Sequence, residues 1–175
     1  TAIDSVLSRS VLVLAEDVDA DLFGIAEDEL AATVQQFVVR GGRVRGVRAW
    51  TLEKELDILG PELVDQVLQR SYGEATAAEI PRRILVATLP DDASELEQWL
   101  SERRGGRPVS IRVAQRGRKA DLLKTANLNA QQALMLFKTR RSSDYIARTQ
   151  SLTDLQAALG LSEAPLRIEC FDVSH

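Results

Sequence analysis

"TVQQFVVRGGRVRGVRAWTL", residues 33–52, sets two runs rich in Val, Phe, Trp and Thr on either side of Gly41-Gly42. β-branched and aromatic residues favour extended backbone, and a glycine pair readily takes the positive φ angles of a tight hairpin turn. The stretch therefore predicts an antiparallel hairpin, and the rest of the chain is read outward from it.

Upstream, Leu22-Phe23-Gly24-Ile25-Ala26 is a short apolar piece in acidic surroundings and predicts a first strand. Downstream, Leu52, Leu56, Leu59, Leu63 and Val67 share one helical face interrupted by Gly60-Pro61. Proline suits the first position of a helix, so two short helices or a kink are expected there. "RRILVATLP" (82–90) is an uninterrupted apolar run of strand length, as in a central strand covered on both faces. "DDASELEQWLSERRGG" (91–106) opens on carboxylates suited to capping, turns Ala93, Leu96, Trp99 and Leu100 inward, and stops at a glycine pair. "VSIRVAQ" (109–115) alternates apolar and polar residues and predicts a half-buried strand. From Lys119 to about Arg148 the pattern is helical, with Leu122, Ala126, Ala130, Ala133, Leu134 and Phe137 as its stripe. A separate short helix is expected from Ser151 to Gly160, and a last strand after Pro165.

The order is three strands, helix, strand, helix, strand, long helix. An antiparallel trio followed by alternating helix and strand predicts an α/β domain whose mixed sheet carries helices on its faces. That succession matches the ribonuclease H fold.

At 175 residues, 45% hydrophobic and 27% charged, the chain has the composition of a folded globular protein. The net charge of −4 gives no overall drive toward a polyanion, but sign is unevenly spread. Asp17–Glu29 is acidic and holds no base, whereas Arg40–Arg48 holds four arginines and no acid. Cys170 stands alone, so no internal disulfide can form. No stretch approaches the roughly 20 apolar residues of a spanning helix, and the N-terminus lacks a secretion signal. A cytoplasmic protein is the expectation. Without an initiator Met, and with strand-like residues at its close, the sequence reads as a piece of a longer protein.

Conventional catalytic patterns are missing. His175 is the single histidine, so earlier residues build neither a Ser-His-Asp triad nor a paired-His zinc site. There is no phosphate-binding loop and no GxGxxG. Ribonuclease H-like nucleases instead use carboxylates from separate elements to hold two divalent cations. Asp28 after the first strand, Glu55 opening the first helix, Asp91 past the fourth strand and Asp121 at the start of the long helix are candidates for such a site. Each also has an ordinary role, as a helix cap, a first-turn acid or a solvated turn residue, and those roles are the expectation.

Arginines offer a second chemistry. Arg43 and Arg45 are expected on one face of a strand and Arg48 on the other, with Arg40 at the turn. Arg116, Arg118 and Lys119 lie in a loop feeding a helix N-terminus, where backbone amides also favour phosphate. These seven residues suit DNA-backbone contacts that read no base; equally, strand arginines keep an exposed edge soluble. Trp50 and Trp99 are expected in the core. Ile3, Val6 and Leu7 suit either the tail of a partner-binding helical hairpin or a cover for the domain.

"FVVRGGRVRGVRAW" (37–50), "VAQRGRKADLLKTANLNA" (113–130) and "LRIECFDVSH" (166–175) together resemble the UvrC family, the C subunit of the bacterial UvrABC excinuclease. The likeness runs from about Ala15 to the end. In that family a GIY-YIG nuclease for the 3′ cut and a UvrB-binding helical motif precede a middle region. A ribonuclease H-like nuclease for the 5′ cut and a tandem helix-hairpin-helix module follow it. The resemblance implies that residues 1–14 are the trailing end of the UvrB-binding motif or a linker. Residues 15–164 are then the middle region, which the element order reads as a ribonuclease H-like domain that has lost its catalytic centre, and residues 165–175 the first strand of the downstream nuclease. It also implies that Asp172 is the first metal-binding carboxylate of that nuclease, whose Mg or Mn ions need ligands beyond His175. No GIY or YIG pattern is present.

The implied role is a non-catalytic domain, without a cofactor of its own, that positions the incision domains on UvrB-bound damaged double-stranded DNA. UvrB, DNA and the neighbouring nuclease domains are the implied partners. A protein-docking spacer without DNA contact and an active two-metal nuclease are the alternatives.

Overall fold

The hairpin is formed by β2 (Ala31–Arg40) and β3 (Arg43–Glu53). Its two-residue turn, Gly41-Gly42, holds φ at +57° and +68°, the combination a type I′ turn demands and a side chain resists. In this computed structural model the described residues are 14–15, 18–54, 58, 60–163, 165 and 167–169. The expected N-terminal helix around Ile3, Val6 and Leu7, the residues Leu56 and Leu59, and residues 170–175 of the expected final strand lie outside them, while residues 165 and 167–169 of that stretch are described and take no strand conformation.

Strand β1 (Ala20–Glu27) pairs antiparallel with β2 along its whole length and parallel with β4 (Arg83–Val86), which pairs parallel with β5 (Ser110–Val113). The sheet order is β3-β2-β1-β4-β5. Helix α1 (Gly60–Tyr72) connects β3 to β4, and α2 (Ala93–Arg103) connects β4 to β5. Buried Ile84, Leu85 and Val86 make β4 the doubly covered strand that its unbroken apolar run predicts.

One face of the sheet meets α1 and α2, where Phe23, Val34, Ile84 and Ile111 pack with Leu63, Val67, Leu68, Leu96 and Leu100. Trp50 and Trp99 lie partly buried against this cluster, as expected. The other face meets the start of α3 (Gly117–Leu159), where Leu22, Phe37 and Leu85 pack with Leu122, Leu123 and Ala126. The result is a mixed five-stranded α/β sheet with helices on both faces.

Three local expectations change. Leu52 belongs to β3 and not to a helix, because it pairs with Ala32 and packs on the core, so the described helix starts at Gly60 with Pro61 in its first turn. Asp92 does precede α2, but its side chain makes no capping hydrogen bond; only its carbonyl accepts, from Leu96 N. The two helices expected at 119–148 and 151–160 are one helix, α3, ended by Gly160 at φ +64°. Nothing between Arg148 and Ser151 breaks a helix: Thr149 Oγ1 bonds back to the Tyr145 carbonyl and Gln150 Nε2 to Asp154 Oδ1.

The chain divides into two compact units, Thr1–Leu134 and Met135–His175. The first holds the sheet and its core. In the second, the described helical residues are mostly exposed. Among the described residues no helix is long and apolar enough to cross a membrane.

Candidate functional site

The hairpin's arginines are set by a defect in its pairing. Val38 pairs with Gly46 but Val39 with Val44, so Arg45 is the extra residue of a β-bulge. The bulge shifts the alternation by one residue. Arg48 stands opposite Gln36 and Arg43 opposite Arg40, and directly paired residues share a face. Arg43 and Arg48 therefore share the α1 face, and Arg43 and Arg45 are not the pair that simple alternation predicts. Arg43, Arg45 and Arg48 are all exposed, and among the described residues only Arg48 has an ionic partner, a distant one, with Nη2 3.9 Å from Glu79 Oε1. Glu79 itself is held below the ordinary carboxylate range by hydrogen bonds from the Thr76 backbone and hydroxyl.

Arg40 is placed differently. Its Nη1 donates to Asp21 Oδ1 at 2.6 Å and to the Val39 carbonyl at 2.8 Å, and its Nη2 to the Glu79 carbonyl at 2.8 Å. Asp21 is 1% exposed, and its other oxygen accepts from Gln36 Nε2 at 2.9 Å and Tyr72 Oη at 2.7 Å. Burial, then the neighbouring Asp21 carboxylate, pushes the Tyr72 phenol well above its ordinary range. This network ties β1, β2 and α1 together around one buried charge. Sequence reading missed Asp21; its signal was an acid on the inward phase of a strand, two residues before Phe23.

The second basic group lies where β5 gives way to α3. Arg116 and Arg118 are exposed and Lys119 half-buried, around Gly117 at φ +72°. Arg43, Arg45, Arg116 and Arg118 make no salt bridge among the described residues.

The candidate carboxylates are dispersed over different tasks. Asp28 Oδ1 accepts from the Leu30 and Ala31 backbone amides, both at 2.9 Å, and shapes the β1–β2 turn. Asp121 is exposed in the first turns of α3. Asp91 lines a groove of about 490 Å³ with Glu62, Asp65, Asp92, Glu95 and Trp99, at the starts of α1 and α2. Glu55 and Asp172 lie outside the described residues. Among the described residues no three of His, Cys, Asp and Glu are close enough to hold a metal ion, so the donor set of a two-metal centre is not gathered there.

Where β1 leaves its pairing with β4, α3 closes directly on the strand. A Cβ on Gly24 would stand 2.1 Å from the Ala126 carbonyl carbon and 2.4 Å from Asn127 N. Two polar contacts seal the crossing: Ile25 N donates to Asn127 Oδ1 at 3.2 Å, and Thr33 Oγ1 to the Ala130 carbonyl at 2.7 Å.

The family model described as UvrC Ribonuclease H-like domain matches residues 19–136. UvrABC system protein C of Pseudarthrobacter chlorophenolicus is 53% identical over 100% of this chain and 26% of its own length. The Streptomyces coelicolor protein of the same name is 49% identical over 99% of this chain and 24% of its own. The chain thus spans about a quarter of the curated relatives it matches. Among solved structures, a chain of the PCNA:RNase HII complex from Archaeoglobus fulgidus aligns with a TM-score of 0.44 and 12% identity, covering 90% of this chain and 98% of that one. A five-stranded mixed sheet in the order β3-β2-β1-β4-β5, matched over residues 19–136 by that family model and over nearly its whole length by these relatives, makes the chain a member of the UvrC family.

Proposed function

We propose that this stretch is a non-catalytic, ribonuclease H-like domain of an excision-repair nuclease subunit, which helps position the incision domains on UvrB-bound damaged DNA. On this reading Arg43, Arg45 and Arg48 on the hairpin, with Arg116, Arg118 and Lys119, contact phosphates without reading bases. Arg40 serves the fold through Asp21, and the stretch works without a metal of its own.

The observation that carries the non-catalytic reading is Gly24. In sequence pattern alone, Phe23-Gly24 on β1 resembles Phe171-Asp172 near the chain's end, with glycine at the position where the resemblance assigns a metal-binding carboxylate. At Gly24 the backbone of α3 fills the space a side chain would need. A first-strand carboxylate has no room there, and Asp28 and Asp121 have other surroundings.

A mobility shift of DNA at low salt tests the contacts. The chain should retard duplex DNA, and the Arg43→Gln, Arg45→Gln, Arg48→Gln triple variant should retard it far less. Equal shifts by both would remove the hairpin from the reading. Incubation with plasmid and Mn²⁺ tests the rest: cleavage abolished by Asp91→Asn would restore the active two-metal nuclease.

A second reading, the protein-docking spacer, draws on the groove lined by Glu62, Asp65, Asp91, Asp92 and Glu95. Five carboxylates repel a polyanion and suit a basic protein surface. Co-elution with UvrB that is indifferent to added DNA and weakened by Asp91→Asn/Glu95→Gln would favour it.

A further inference from the structure

The distal part of α3 has a charge opposed to that of the chain. Between Lys138 and Arg148 it carries Lys138, Arg140, Arg141 and Arg148 against Asp144 alone, four positive charges less one, in a chain of net charge −4. All five side chains are exposed. Asp144 lies four residues from both Arg140 and Arg148, a spacing at which helical ion pairs form. Yet none of the three arginines makes a salt bridge among the described residues.

At about 100° per residue, Arg141, Tyr145 and Arg148 fall on one face of the helix, with the two arginines roughly 10 Å apart along its axis. Tyr145 is 73% exposed between them. An uncovered ring flanked by guanidinium groups is the arrangement with which proteins hold single strands: arginines meet phosphates, and the ring stacks on any base. A membrane-surface helix would instead gather its apolar residues on one side. Here the exposed Met135, Leu136, Ile146, Leu152 and Leu159 spread over somewhat more than half of the helix circumference at about 100° per residue.

We propose that the distal half of α3 is a contact surface for single-stranded nucleic acid, with Arg141 and Arg148 on phosphates and Tyr145 stacked on a base. The proposed contact uses residues other than the hairpin arginines, and either set can bind without the other.

Fluorescence anisotropy of the 175-residue chain with a labelled single-stranded oligonucleotide, and with the matching duplex, tests it across a salt series. Arg141→Gln/Arg148→Gln should weaken single-strand binding at least tenfold and flatten the log–log salt slope by about 1.4, near 0.7 for each phosphate left without its arginine. Tyr145→Ala should weaken single-strand binding by about fivefold or more, with little effect on the duplex, and Tyr145→Phe should retain it. These positions are exposed, so circular dichroism should not change. Single-strand binding that is absent, or indifferent to all three positions, overturns the proposal even if the Arg43/Arg45/Arg48 variant loses duplex binding. Single-strand binding lost in the distal variants, together with duplex binding that the Arg43/Arg45/Arg48 variant keeps, supports the proposal and removes the hairpin contacts. Sedimentation with phosphatidylserine vesicles that depends on Arg141 and Arg148, without oligonucleotide binding, would assign the surface to membranes and overturn the proposal.

Discussion

Tyr72, in the last turn of α1, donates its hydroxyl to Asp21 Oδ2 on β1 at 2.7 Å, and neither residue is more than 2% exposed. The bond joins a helix to the central part of the sheet through a buried carboxylate that Arg40 neutralises from β2. The same ring meets Phe23 edge-on, with centroids 6.0 Å apart. The arginine-rich hairpin is thus anchored from beneath: its one inward arginine holds the acid that holds the helix.

Removing the hydroxyl has a pH signature. In the fold the Tyr72 phenol ionises well above its ordinary value, through burial first and Asp21 second, so the contribution is complete below the unfolded tyrosine's pKa and is lost as pH rises above it. Wild-type stability should fall at up to about 1.4 kcal/mol per pH unit beyond roughly pH 10. Tyr72→Phe should be weaker by about 1.5–3 kcal/mol near neutrality, the worth of a hydrogen bond to a charged group, and should lack that slope. Urea titrations between about pH 8 and 11 measure both; a wild-type–variant gap that stays constant to the top of the range would refute the coupling.

Arg40 and Arg48 separate fold from contact. Arg40→Ala strands the buried Asp21 charge with two neutral donors. Because Arg40 is 27% exposed, the loss should fall at roughly 2–4 kcal/mol, just under the full value for a broken buried pair. Arg48→Ala gives up only a 3.9 Å surface contact and should change stability by less than about 0.5 kcal/mol while lowering DNA affinity. Denaturation midpoints and anisotropy on the same two variants check this. Parallel losses in both properties for both variants would erase the distinction.

What the sequence made legible follows from how local each signal is. Gly41-Gly42, Pro61, Gly160 and the apolar run through Ile84–Val86 act within a few residues, and the structure uses each as read. The bulge at Arg45 was hidden because it arises from pairing with Val38 and Val39, not from the strand's own residues. Asp21 was hidden for a related reason: its partners Gln36, Arg40 and Tyr72 lie 15, 19 and 51 residues away. The break expected near residue 150 came from apolar spacing, which tracks burial and has no purchase on a helix whose residues there are exposed. Of the candidate site, the basic clusters were visible as charge runs, whereas the closure of α3 over Gly24 depends on residues about a hundred positions apart.

Continuity of α3 through residue 150 can be probed with proline. Gln150→Pro removes a backbone donor and clashes with the preceding turn, an effect worth about 3 kcal/mol in a helix interior. Far-UV circular dichroism should report reduced helix, while the unfolding of the sheet-bearing unit stays where it was. Ser162→Pro, beyond Gly160, should change neither. Were α3 two helices meeting near this point, Gln150→Pro would be as silent as Ser162→Pro.

The closure over β1 gives the sharpest contrast within one residue type. Gly24 and Gly46 both sit in strands without a positive φ, yet a Cβ at Gly24 meets backbone at 2.1 Å and a Cβ at Gly46 meets nothing within 4 Å. Backbone cannot rotate aside as a side-chain tip can, so Gly24→Ala must push the start of α3 off the sheet and should destabilise by about 3 kcal/mol or more, the upper end for overpacking. Gly46→Ala should be neutral or stabilise by up to about 1 kcal/mol, since alanine restricts the unfolded chain and has room in the fold. Gly24→Asp adds the carboxylate that a first-strand metal ligand would require. It should be at least as destabilising as Gly24→Ala and should confer no Mn²⁺-dependent cleavage of plasmid DNA. Thermal melts rank the three variants. A stable Gly24→Asp protein that cuts DNA would mean the helix yields to a metal centre, and the non-catalytic reading would go with it.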